Sequence, residues 1–142
     1  MEDNKRLISK FIATQILGVV ATVNEQSKPE SALVAITEAG NLDLIFGTSN
    51  QSRKYRNLIN RPHVAITLGN DPGKPLTVQY EGEAIEIKGS EMERYRDLHI
   101  KKNPRSKKFA ERSDQRWFKV KPTWIRYSDL EAKPPNIFEL KL

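Results

Sequence analysis

Leu42–Leu68, LDLIFGTSNQSRKYRNLINRPHVAITL, decides how the rest of the chain is read. Leu42–Phe46 is an apolar strand, Gly47–Gln51 reads as a polar turn, and Tyr55, Leu58 and Ile59 recur at helical spacing. Asn60-Arg61-Pro62 stops that helix, because the residue before a proline is pushed out of the α region. His63–Leu68 then alternates as a strand. The charge at the front of the helix runs against the dipole: Ser52 is followed by Arg53 and Lys54, and no acid lies between Gln51 and Asn70. Unsatisfied first-turn N–H groups, the hydroxyls of Thr48, Ser49 and Ser52, and two cations in one turn suit a phosphate. Against this stands the ordinary reading, in which Arg53 and Lys54 simply reach solvent. The turn has no glycine-rich run and no GxxxxGK[ST] spacing, which points away from a nucleoside triphosphate and toward a single phosphate.

Before the decisive stretch, Leu7, Ile8, Phe11 and Ile12 form an apolar helical stripe, with Asp3 or Asn4 as its cap and Gly18 just past its end. Gly18–Asn24 and Ser31–Thr37 read as strands joined by the Glu25–Pro29 turn. After it, Leu76–Lys88 is the longest strand pattern. Its apolar face changes over from Val78, Tyr80 and Ala84 to Ile85 and Ile87, so a bend at Gly82 is expected. Ser90 opens a helix over Glu91–Lys102 with Met92, Tyr95, Leu98 and His99 facing inward, and residues 105–115 form a short helix or a loop. Arg116–Val120 and Thr123–Tyr127 read as two strands separated by Lys121-Pro122, and Asn136–Leu140 as the last one. Short connections make these strands antiparallel, and the expected architecture is a mainly β fold: one β-barrel domain over residues 1–142 with attached helices.

Composition narrows the function. The chain has 142 residues, 37% of them hydrophobic and 30% charged, with no cysteine and two histidines. Disulfide, thiol and cysteine–metal chemistry are thereby excluded, and no metal site is expected from His63 and His99. No apolar run is long enough to span a bilayer and the start MEDNKRLISKF lacks the apolar centre of a signal peptide, so a cytoplasmic protein without membrane contact is expected. The net charge of +6 is concentrated: Glu91–Arg116 carries nine basic residues against five acidic ones. Lys101–Lys108 (KKNPRSKK) lacks interleaved aromatics and reads as a solvated loop rather than a nucleic-acid surface.

With these segments in order, the chain resembles the pyridoxamine 5′-phosphate oxidase-like flavoproteins, the FMN-binding split β-barrels. Thr48, Ser52-Arg53-Lys54, Asn57-Leu58 and Asn60-Arg61-Pro62-His63-Val64 carry the resemblance, supported by GVVATVN, VQYEGEAIEI and FKVKPTWIRYSDL. The resemblance implies a homodimer with the cofactor at the subunit interface. Thr48, Ser52, Arg53 and Lys54 would hold the phosphate, and the backbone of Ser31, Ala32, Leu33 and Val34 would lie along the ring. Thr77 and Gln79 would face the ring or its ribityl chain, and Trp117 or Trp124 would close the site from the partner, simple packing being the competing role for either indole. The implied function is flavin-dependent oxidation or reduction of a small molecule. The alternative is a non-catalytic protein that binds or stores flavin, the deazaflavin F420 or haem.

Overall fold

The computed structural model describes residues 1–142. Its centre is one eight-stranded sheet in the order β2-β1-β5-β6-β7-β4-β3, with β8 on β7. The strands are β1 Leu17–Val23, β2 Pro29–Ala35, β3 Thr37–Glu38, β4 Leu44–Ser49, β5 His63–Leu68, β6 Leu76–Glu86, β7 Gln115–Asp129 and β8 Asn136–Lys141. Every pairing is antiparallel. The sheet curls until β2, at one end of the order, comes against β4 near the other. The two do not pair, and this gap makes the barrel a split one.

The helices are α1 Glu2–Thr14, α2 Arg53–Asn60, α3 Glu91–Lys102 and the short α4 Lys107–Ala110. Inside the curl lies a continuous core including Val20, Ile36, Leu44, Phe46, Ile66, Tyr80, Phe118 and Ile125, which α1 covers with Ile8, Phe11 and Ile12 and α2 with Leu58. A smaller core of Ile45, Ile87, Tyr95 and Trp117 lies under α3. No helix is long and apolar enough to cross a membrane.

Several expectations are corrected. Helix α1 starts at Glu2, behind Met1, so Glu2 and Asp3 sit in the first turn where the dipole favours them. The helix ends at Thr14 with Gln15 as its cap, so Gly18 does not close it; Gly18 lies in β1, as the strand reading has it, where a Cβ would fall 2.6 Å from Leu68 Cδ2. Leu42 belongs to the preceding turn at φ +66°; its N–H donates to Glu38 Oε2 and its carbonyl accepts from the Tyr80 hydroxyl. Gly47–Ser49 is strand, not turn, held by pairing with Gln115–Trp117. Lys121-Pro122 does not divide β7: the register with β6 shifts between Glu81 and Gly82, Thr123 is left unpaired, and Pro122 sits in that bulge. The bend at Gly82 is therefore present; Val78, Tyr80 and Ala84 stay buried and Ile85 is 63% exposed, whereas Ile87, just past the end of β6, is buried in the smaller core. Ile59, Met92 and Leu98 also point outward.

Candidate cofactor site

The end of β4 and the start of α2 form one polar corner. Thr48, in β4 opposite Arg116, is 7% exposed, and its Oγ1 lies 2.8 Å from Ser52 Oγ. Ser52 caps α2, its Oγ accepting the Tyr55 N–H at 3.1 Å. The backbone N–H of Lys54 finds no acceptor in the protein, as expected of a first-turn amide. Tyr55 anchors the helix from beneath, its hydroxyl donating to Glu86 Oε1 at 3.0 Å and its ring set edge-on to Phe118.

The two cations at this corner have different surroundings. Arg53 is 62% exposed and lies 3.3 Å from Glu30 Oε2. Glu30 also accepts from Asn57 Nδ2 at 2.9 Å and Asn24 Nδ2 at 3.1 Å. The Asn57 bond foremost, then those of Asn24 and the nearby guanidinium groups, hold its carboxyl below the usual range. The acid that compensates Arg53 thus comes from β2, outside the segment in which a local search finds none. Lys54 is half-buried and has no carboxylate within ion-pair distance. Burial, then the charge of Arg53, pushes its amine below the usual lysine range. A bound anion would relieve both effects, so a phosphate fits this corner.

On β2, Ser31 and Leu33 are exposed, while Ala32 and Val34 are half-buried, Val34 against the main core. This strand pairs only with β1, so its other edge, toward β4, keeps free backbone groups. Thr77 and Gln79 are elsewhere. Thr77 lies opposite Ser128 and Thr48 opposite Arg116, near the two ends of β7, with about 40 Å of strand contour between them. Gln79 belongs to an outward-facing row across the sheet: Leu33, Val19, Thr67, Gln79, Arg126 and Glu139. Along β7, Thr77 and Gln79 are therefore twelve and ten register positions from the partner of Thr48. Trp117 is 3% exposed in the core under α3, with its ring 5.2 Å from that of His99, so packing accounts for it. Trp124 lies on the outer face, its Nε1 donating to Glu139 Oε1 at 2.7 Å.

One polar cluster escaped the sequence reading. Thr37 Oγ1 lies 2.8 Å from His99 Nδ1 and accepts from Asn103 Nδ2 at 3.1 Å, with all three residues buried. Lys102 Nζ donates to Ile12 O at 3.1 Å and Ile36 O at 2.9 Å, joining α3 to the end of α1. The KKNPRSKK segment is therefore not one solvated loop: it contains the end of α3, a 3₁₀ turn and the start of α4. No signal marked Lys102 apart from its neighbours, because the carbonyls it serves lie far off in sequence. His63 is exposed, 3.8 Å from Glu83, and no group of three His, Cys, Asp or Glu converges as metal ligands would.

Comparison with known proteins adds to this geometry. The family model described as pyridoxamine 5′-phosphate oxidase matches residues 5–129. Over 76 residues the chain is 33% identical to the pyridoxine/pyridoxamine 5′-phosphate oxidase of Haemophilus influenzae, a match covering 54% of this chain and 36% of that protein. The General Stress Protein 26 of Bacillus anthracis superposes with a TM-score of 0.76 at 24% identity, over 96% of this chain and 98% of the other. A heme binding protein from Mycobacterium smegmatis superposes with a TM-score of 0.79 at 19% identity, over 92% of this chain and 55% of the other. These two structural likenesses concern the fold.

Proposed function

The chain belongs to the pyridoxamine 5′-phosphate oxidase family, and from that premise we propose that it binds FMN and acts as a flavin-dependent oxidoreductase on a small molecule. The observation that carries this reading is Lys54, a half-buried cation with no acidic partner, two residues after Ser52, whose hydroxyl is paired with that of Thr48. Thr48, Ser52, Lys54 and, on leaving Glu30, Arg53 hold the phosphate. The free edge of β2 over Ser31–Val34 supplies backbone donors and acceptors to the ring. The bound flavin supplies the hydride chemistry, and the protein supplies position and electrostatics. Backbone N–H groups along β2 favour negative charge developing on the ring.

The working unit we propose is a homodimer. Thr77, Gln79 and Trp124 then act on the partner's cofactor, which agrees with their distance from the Ser52 corner of their own chain. The outward faces of β1 and β2, with exposed Leu33 and Val19, suit burial against a second copy. Haem is the weaker reading. His99 is 2% exposed and engaged with Thr37, and His63 is a surface residue beside Glu83, so neither is poised as an axial ligand. Purification from flavin-replete cells, followed by a visible spectrum and sedimentation, tests the proposal. Oxidised-flavin bands on a dimer are expected; a Soret band, or a monomer retaining flavin, would overturn the corresponding part.

A further inference from the structure

Between the end of α1 and the β5–β6 turn lies a cavity of about 680 Å³, a volume that suits a small molecule. Leu7 and Phe11 of α1, Ile16 and Leu17 where β1 begins, Leu76 and Tyr127 give it an apolar floor. Tyr127 stands eleven register positions along β7 from Arg116, the partner of Thr48. The cavity is therefore separate from the phosphate corner of the same chain.

Tyr127 gives this floor a polar point. Of the four tyrosines, Tyr55, Tyr80 and Tyr95 each have a hydroxyl that meets a protein group. The hydroxyl of Tyr127 meets none, although the residue is 6% exposed and its ring is stacked on Phe138. It is not sealed off either, since Asn103 Oδ1 is the one side-chain atom both enclosed and unpartnered. The hydroxyl therefore opens toward the cavity that Tyr127 lines. Burial, then the charge of Asp129, pushes the phenol above its usual range, so it stays protonated and able to donate. At the rim, Lys10 on α1 and Lys74 in the β5–β6 turn are exposed, with no carboxylate within ion-pair distance. Asp71 is the one acid in the wall, and its Oδ1 accepts the Gly73 N–H at 2.9 Å. Exposed lysines and scattered apolar side chains are most often only solvated. Here they surround one buried hydroxyl that has no partner.

We propose that this cavity binds a small molecule with an apolar body, an oxygen acceptor at one end and a single carboxylate at the other. The body lies on Leu7, Phe11, Ile16 and Leu76, the Tyr127 hydroxyl donates to the acceptor, and Lys10 and Lys74 hold the carboxylate at the rim. One negative charge suits this rim better than the two of a phosphate. Asp71 shares the rim, and Thr14 and Gln15 bring the negative end of the α1 dipole into the wall. The site does not depend on the flavin reading.

Calorimetric titrations of 6-hydroxy-2-naphthoate, 2-naphthoate and 2-naphthol test it, on the parent, Tyr127→Phe, Lys10→Gln/Lys74→Gln and Lys54→Ala, with thermal melting of each. The parent is expected to bind 6-hydroxy-2-naphthoate about tenfold tighter than either of the other two. Tyr127→Phe should cancel the advantage over 2-naphthoate, and the double lysine variant the advantage over 2-naphthol. Because the Tyr127 hydroxyl has no protein partner, Tyr127→Phe should melt no lower than the parent. A lower melting temperature would mean that the hydroxyl is bonded within the protein, and would overturn its role. Lys54→Ala should bind all three probes as the parent does; a loss there would put the carboxylate in the phosphate corner and overturn the separate site. No binding of any probe to the parent, or equal affinity for all three, overturns the proposal as well. Binding as expected by a protein that takes up no flavin would sink the flavin reading and leave this site standing.

Discussion

His99 should make the stability of this protein fall in mild acid. Its ring is 2% exposed, with Nδ1 2.8 Å from Thr37 Oγ1 and the indole of Trp117 edge-on at 5.2 Å. Since Asn103 Nδ2 donates to Thr37 Oγ1, the Thr37 proton is free for His99 Nδ1, and the neutral imidazole carries its hydrogen on Nε2. Burial, and secondarily the charge of Lys102, lowers the imidazole pKa from 6.5 to about 4. The folded value lies below the unfolded one, so the unfolded chain binds the extra proton first. Stability is complete above pH 6.5 and declines as pH falls toward 4. By linkage the loss is about 1.4 kcal/mol at pH 5.5 and about 2.5 kcal/mol at pH 4.5. Denaturant unfolding at pH 7.5, 5.5 and 4.5, on the parent and on His99→Asn, measures it. Depressed carboxyls such as Glu30 and Asp114 contribute to both proteins, so the difference between their pH slopes isolates His99. Parallel slopes in parent and variant would refute the reasoning.

Two further substitutions test the frame that carries the site. Lys102→Met leaves Ile12 O and Ile36 O without their charged donor, and a loss of about 1–3 kcal/mol is expected, because removing a half-buried charge returns part of two strong bonds. The neighbouring Lys101→Gln should change stability by less than about 0.5 kcal/mol; equal melting temperatures for the two variants would show that Lys102 is only a surface residue. Gly82→Ala places a Cβ 2.3 Å from Lys121 O, a backbone atom that yields only if the β6–β7 bulge opens. A loss of about 2 kcal/mol or more is expected in chemical denaturation, and a neutral result would mean that the bulge is more yielding than its packing suggests.

The sequence carried the fold wherever local chemistry decides it. The helical spacing of Tyr55 and Leu58, Asn60-Arg61-Pro62 as a stop and the alternation of His63–Leu68 place α2 and β5 without reference to the rest of the chain. Misreadings arose where a distant partner outweighs local preference. Gly47-Thr48-Ser49 has turn composition but is claimed as strand by Gln115–Trp117, and Pro122 is accommodated because it sits where the register shifts. Ile59, Ile85, Met92 and Leu98 match apolar periodicity yet face outward. At the site, the hydroxyls and cations of Thr48–Lys54 could be read directly. The engagement of Arg53 by Glu30 could not, because it joins β2 to α2 across the split. For the same reason Lys54, not Arg53, stands out as the unpaired cation only in three dimensions.

The central claim, that the Ser52–Lys54 corner holds a flavin phosphate, is tested most directly by paired titrations of FMN and riboflavin into the parent and Lys54→Ala. The amine makes charge-assisted bonds worth about 1.5–3 kcal/mol each, so FMN affinity should fall about ten- to hundredfold. Riboflavin has no phosphate and should bind both proteins equally. Equal losses for the two ligands would make Lys54 a structural residue, and an unchanged FMN affinity would place the phosphate elsewhere; either result contradicts the account.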